Sequence, residues 1–135
     1  MLQDIKKVLP HRNPFLFLDE IKDVEKRTIR TGKLFSINEE FFKGHFPNEP
    51  IVPGVILSEV FAQSAAYLIM RQNKYQHSYL VGIDRARFLK QVKPGDLLIS
   101  EIKVLKEIQG IYVFQAIGKV KKDIVAQANL TIAFK

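Results

Sequence analysis

The clearest pattern lies near the C-terminus. Ile124, Ala126, Ala128, Leu130, Ile132 and Phe134 alternate with polar Gln127, Asn129 and Thr131. A period of two over such a length marks a strand with one face on a core. Upstream, Tyr112, Phe114, Ala116, Gly118 and Val120 share a face, and Leu98, Ile102, Val104 and Ile108 hold even positions of 97–108. Gly110 and Lys121-Lys122-Asp123 supply the turns between these runs. Turns this short demand antiparallel pairing. Further strands are expected at 15–24 and 28–36, around the charged turn Glu25-Lys26-Arg27, and at 79–83.

The middle of the chain follows another rule. Residues 41–52 read as a loop, because Pro47 and Pro50 lack the N–H that a helix or central strand needs. Pro53 and Gly54 open a helix expected to run to about residue 73. Val55, Ile56, Leu57, Val60, Phe61, Ala62 and Ala65 pass nearly all the way round it, so it should be wrapped by protein. A short helix is expected over 2–9, stopped before Pro10. With no repeat, linker or low-complexity tract, the elements predict one α+β domain over 1–135: a long buried helix against a curved antiparallel sheet.

Composition narrows the chemistry. There is no cysteine, which removes disulfides, thiolate nucleophiles and cysteine metal sites. The N-terminus shows no apolar segment of the kind that marks a signal peptide, and a cytoplasmic location is expected. The stretch 51–70 is long enough to cross a bilayer, but Glu59 inside it would cost ~3 kcal/mol at mid-membrane, so a core helix is the cheaper reading. The net charge of +7 favours an acidic partner. The lysines and arginines are dispersed and form no nucleic-acid motif. His11, His45 and His77 match no metal-ligand spacing, so no metal is expected.

The carboxylate in that apolar helix needs an explanation. No Lys or Arg stands at i±3 or i±4 from Glu59, where Val55, Ile56, Ala62 and Gln63 lie. Glu59 must find a partner from elsewhere or be held near neutral, and a near-neutral Glu can donate a proton. Gln63, one turn on, can orient it. His45 sits beside a proline-braced loop and can take a proton near neutral pH. Gly54 opens the helix, so its N–H is a free donor for a carbonyl or oxyanion. A base, an acid and an oxyanion donor suit proton removal beside a carbonyl with loss of a leaving group. The same residues also fit a structural histidine and a satisfied core acid.

The segments LPHRNPFLFLDEI, FFKGHFPNEPIVPGV, SEVFAQSA and LVGIDRARFLKQVKPGD, in this order and spacing, resemble the 3-hydroxyacyl-[acyl-carrier-protein] dehydratases of the FabZ type over nearly the whole chain. The resemblance implies a hot-dog fold, with His45 and Glu59 as the catalytic pair meeting across a homodimer that assembles further into a trimer of dimers. It implies dehydration of (3R)-3-hydroxyacyl chains on acyl carrier protein to trans-2-enoyl chains. No cofactor is implied, because the pantetheine arm arrives on the substrate. Asn13, Ser58 and Phe61 depart from the family's usual residues, and Glu59 stands where the related FabA type carries Asp.

The mechanism expected from both lines has Gly54 N–H on the thioester carbonyl, His45 as base, and Glu59 as acid with Gln63 holding it. The acidic carrier protein gives the positive charge a partner. Arg85, Arg87, Lys90 and Lys93 are the expected docking residues, with Lys119, Lys121 and Lys122 as a second group, and Arg87 is also a candidate partner for Asp84. Two rivals stand beside this reading. A hot-dog thioesterase would use a helix carboxylate but lacks the GHFP loop. A non-catalytic acyl- or nucleic-acid-binding module would tolerate His45→Ala.

Overall fold

The computed structural model describes residues 2–135. Its elements are α1 (Leu2–Val8), β1 (Glu20–Val24), β2 (Thr28–Leu34), α2 (Gly54–Met70), β3 (Ser78–Phe88), β4 (Leu97–Ile108), β5 (Ile111–Val120) and β6 (Asp123–Phe134). The six strands form one antiparallel sheet in the order β1-β2-β4-β5-β6-β3. β2 lies near one edge and β3 is the other edge, so the chain must cross the whole sheet between them. It does so through α2, which packs on β2, β4, β5, β6 and β3 in turn. This is a hot-dog fold.

The two-residue spacing correctly gives β4, β5 and most of β6. The hairpin between β4 and β5 turns through Gln109 and Gly110, with φ of 50° and 83°. Two successive positive φ values match the strand twist, and Gly takes the second without strain. The alternation slips twice. A bulge between Val104 and Lys106 turns Ile108 out to solvent, and one near Gly118 and Lys119 lets Val125 and Ala126 both point inward. Sequence alone does not register such insertions.

Thirteen helix residues between Leu57 and Met70 are buried, as expected of an apolar cylinder; the exceptions are the first turn and Glu59, which is half-buried. Phe61 stands against a gap in β5. A Cβ on Gly118 would lie 3.0 Å from its ring. The bulky ring and the missing side chain are complementary. Ser64 donates to Val60 O at 2.8 Å, so the Thr31 hydroxyl, 2.8 Å away, donates to Ser64; the polar atoms at this buried crossing are mutually satisfied.

Three expected boundaries move. The helix stops at Met70, not near 73, because the Gln72 and Asn73 side chains take the carbonyls of Leu68 and Ile69 at 2.7 and 2.9 Å. β3 reaches Phe88, five residues past the expected end, through bulged, charged sequence with Arg85 at φ 54°. Residues 15–19 are no strand. Phe15 O and Phe17 N are met instead by a side chain of α2, described next, and only Asp19 N reaches a strand, at Gly32 O. Among the described residues, no helix is long and apolar enough to cross a membrane.

Candidate active site

A strap of irregular chain from Leu9 to Asp19 lies over the middle of α2. Arg12 folds its start back onto α1, donating to the carbonyls of Lys6, Leu9 and His11. Gln63 pins the other end: its Oε1 accepts from Phe17 N at 2.8 Å, and its Nε2 donates to Phe15 O at 2.8 Å. A buried side-chain amide thus replaces a neighbouring strand for these two residues.

The same Nε2 donates to Glu59 Oε2 at 2.9 Å. The expected i, i+4 pairing of Gln63 with Glu59 is therefore present, and Gln63 also joins the acid to the strap. Glu59 has a second neighbour, which the sequence did not reveal. His11 Nε2 lies 3.8 Å from the same Oε2. Burial lowers the His11 pKa from its ordinary value; Glu59 partly opposes this and Arg12 adds to it. His11, Glu59, Ala62, Gln63, Ser78, Leu80 and Ile132 line a cavity of about 90 Å³.

His45 follows a turn of 3₁₀ helix, Glu40–Lys43, and its Nδ1 faces Ile51 O at 3.0 Å. A carbonyl can only accept, so Nδ1 is the donor, and in the neutral ring Nε2 keeps its lone pair. The ring stacks on Phe46 with centroids 4.3 Å apart. The loop is tied down by Ile51 N to His45 O at 2.9 Å and Val52 N to Val92 O at 2.8 Å. Buried Lys33 anchors the approach to the loop, reaching Glu39 at 2.7 Å. No hydrogen bond or ion pair joins His45 to Glu59 within the described chain, and His45 does not line the Glu59 cavity.

Gly54 opens α2 with Pro53 before it, so its N–H has no carbonyl inside the helix. The Phe88 ring lies over it, with three ring carbons 3.3 Å from where a Cβ would stand. The basic residues expected at the surface are exposed, except Lys119, which is half-buried and paired with Glu101 at 3.3 Å. Arg85 Nε stands 3.9 Å from Asp84, so Arg85 and not Arg87 makes that contact. The bulge between Asp84 and Arg87 breaks the alternation that would have set Arg87 beside it. Lys90 pairs with Asp123 at 3.0 Å, and Arg87 and Lys93 are exposed. Among the described residues, no group of three or more His, Asp or Glu side chains is placed to hold a metal ion.

Residues 9–129 match the FabA-like domain family. The chain is 40% identical over 135 residues to the 3-hydroxyacyl-[acyl-carrier-protein] dehydratase FabZ of Petrotoga mobilis, covering 99% of this chain and 97% of that protein. It is 41% identical to the FabZ of Bacillus subtilis, over 97% of this chain and 95% of that one. The chain belongs to the FabZ dehydratase family. Among solved structures, the dehydratase heterocomplex ApeI:P of Xenorhabdus doucetiae superposes with a TM-score of 0.85 at 16% identity, covering 97% of this chain and 90% of that one. A hypothetical thioesterase from Streptococcus pneumoniae, solved with coenzyme A, gives 0.74 at 12% identity, over 100% and 97%. These two likenesses show the hot-dog fold. The family membership carries the function: the chain is a dehydratase, a hydro-lyase of fatty-acid biosynthesis.

Proposed function

We propose that this dehydratase removes water from (3R)-3-hydroxyacyl chains on acyl carrier protein, giving trans-2-enoyl chains, at a site assembled from two copies of the chain. The thioester carbonyl accepts a hydrogen bond from Gly54 N–H, which acidifies the adjacent Cα proton. His45 Nε2 takes that proton. Glu59 of the other copy gives its proton to the 3-hydroxyl as the C–O bond breaks and water leaves. His45 then holds one proton too many and Glu59 one too few, and exchange with solvent resets both. Gln63 orients Glu59, no metal or cofactor takes part, and the whole of 1–135 acts as one cytoplasmic domain.

The observation that carries this reading is the separation of the two groups. Each is ordered by its own contacts, the His45 imidazole by Ile51 O and the Glu59 carboxyl by Gln63, and nothing bonds them to each other within one chain. The exposed apolar edge of β3 supports a second copy as the source of the missing half, in a homodimer that assembles further as a trimer of dimers. Carrier protein docks through Arg85, Arg87, Lys90 and Lys93 on and just beyond that strand.

His45→Ala and Glu59→Gln should each lower turnover at least ~100-fold with the fold intact, since each removes one positioned proton-transfer group. Mixed after subunit exchange, the two inactive variants should regain activity, because half the sites of a mixed dimer hold both native residues. Verified exchange with no recovery would place the working pair within one chain.

A further inference from the structure

Glu59 offers two oxygens, and the protein treats them differently. Both of its neighbours address Oε2: Gln63 Nε2 at 2.9 Å and His11 Nε2 at 3.8 Å. Among the described residues, no bond reaches Oε1. His11 is half-buried, and its other ring nitrogen, Nδ1, is buried with no partner. An imidazolium carries N–H on both nitrogens, so charging His11 would bury an N–H without an acceptor. The ring is therefore held neutral. Its hydrogen belongs on Nε2, where it faces the carboxyl oxygen, and the bare Nδ1 lone pair takes the dry side.

We infer that His11 is a positioning residue for the acid: with Gln63 it directs an N–H at Oε2 of Glu59, so that the transferable proton rides on Oε1. This rests on the reading of Glu59 as the general acid. A carboxylic acid donates from one oxygen and accepts at the other. Two donors on Oε2 make that oxygen the acceptor and leave Oε1–H to point at the substrate. The same two donors stabilise the carboxylate left after transfer. The 3.8 Å separation is long for a direct hydrogen bond, and contacts of this kind tighten when substrate closes the site. The charged groups around the pair are few: Glu59 and Arg12 act on His11, and the β-strand residues that share its cavity, Ser78, Leu80 and Ile132, carry no charge.

The test compares His11→Leu, which removes the donor, with His11→Asn, which keeps a neutral N–H, in the full oligomeric enzyme. His11→Leu should lower kcat about tenfold with KM nearly unchanged, the scale of one lost hydrogen bond, and His11→Asn should recover most of it. Losing a donor to the carboxylate raises an acid's pKa, so the alkaline limb of the pH–rate profile should move up in His11→Leu. The midpoint of the Glu59 carboxyl, followed by carbon NMR, should rise in parallel. If that midpoint is unmoved, the His11 contact is overturned whatever the rate does. If it rises but turnover stays native, the positioning role is overturned. If Glu59→Gln itself turns over near the native rate, what fails is the acid assignment beneath this inference, and the NMR midpoint separates that failure from the others.

Discussion

The two edges of the sheet are built on opposite plans. β1 is short and bulged between Ile21 and Asp23. Its charged side chains are paired, Lys22 with Glu20 at 3.3 Å and Asp23 with Arg30 at 2.8 Å. Those are the standard means of stopping an edge from recruiting another strand. β3 is also bulged, and charged at Asp84, Arg85 and Arg87, but it is twice as long and carries Tyr79, Leu80, Val81, Ile83 and Phe88 into solvent, with Val81 62% exposed. A free monomer would gain nothing from this display. Such an edge, left uncovered, is a template for pairing. The difference supports the proposed second copy on β3: β1 is guarded against pairing, and β3 is open to it.

The sharpest way to break the comparison is to guard β3 as β1 is guarded. Val81→Lys with Ile83→Lys should convert the oligomer to monomer by sedimentation, keep the circular dichroism of the fold, and lower turnover at least ~100-fold, as severe as losing a proton-transfer group. A monomer that still turns over would show that the site needs no partner. A smaller effect should separate pairing from docking on the same strand. Arg85→Glu with Lys90→Glu should raise KM severalfold for a carrier-protein substrate and leave a short thioester mimic unaffected. Salt should weaken the first reaction more than the second, since surface attraction is screened within ~8 Å. Equal loss on both substrates would assign these residues to the fold.

The smallest effect concerns His11, whose cavity is partly walled by Ser78 and Leu80 of β3. Its pKa is depressed by burial, so the unfolded chain binds its proton more readily. Stability from this group is complete above the ordinary histidine value of ~6.5 and is lost as pH falls below it. Pairing at β3 should deepen the burial. Proton NMR should therefore find the His11 midpoint lower in the native oligomer than in the Val81→Lys/Ile83→Lys monomer. On the guarded side, Lys22→Val should leave oligomer mass and turnover as they are; a larger assembly would mean that charge alone had kept β1 apart.

The sequence was legible where one rule governed a long run. Alternation located β4, β5 and β6, and unbroken apolarity located α2. It failed where a side chain did the work of backbone. Residues 15–19 have strand composition, yet Gln63 supplies the partners of Phe15 O and Phe17 N. Of the site, the i, i+4 spacing of Glu59 and Gln63 was readable because a helix makes such pairs neighbours. His11 was not, because it reaches Glu59 from 48 positions away along an irregular strap. Its histidine in PHRNPF was visible, but only the strap's path gives it a use. The exposed face of β3 was equally hidden, since a strand rich in Tyr, Leu, Val and Ile reads as buried until its neighbours are known.

Phe88 ends β3 and rests its ring on Gly54, the first residue of α2. On the proposed mechanism, the strand that meets a second copy therefore also touches the residue whose amide receives the substrate carbonyl. Dilution should then do more than remove a partner's side chains. Should β3 loosen without a partner, Phe88 would leave the helix start and the donor would lose its roof. Specific activity should fall with enzyme concentration more steeply than dimer mass does. Reassembly on concentration should show a lag, the time that strand and ring need to settle again after two chains have met.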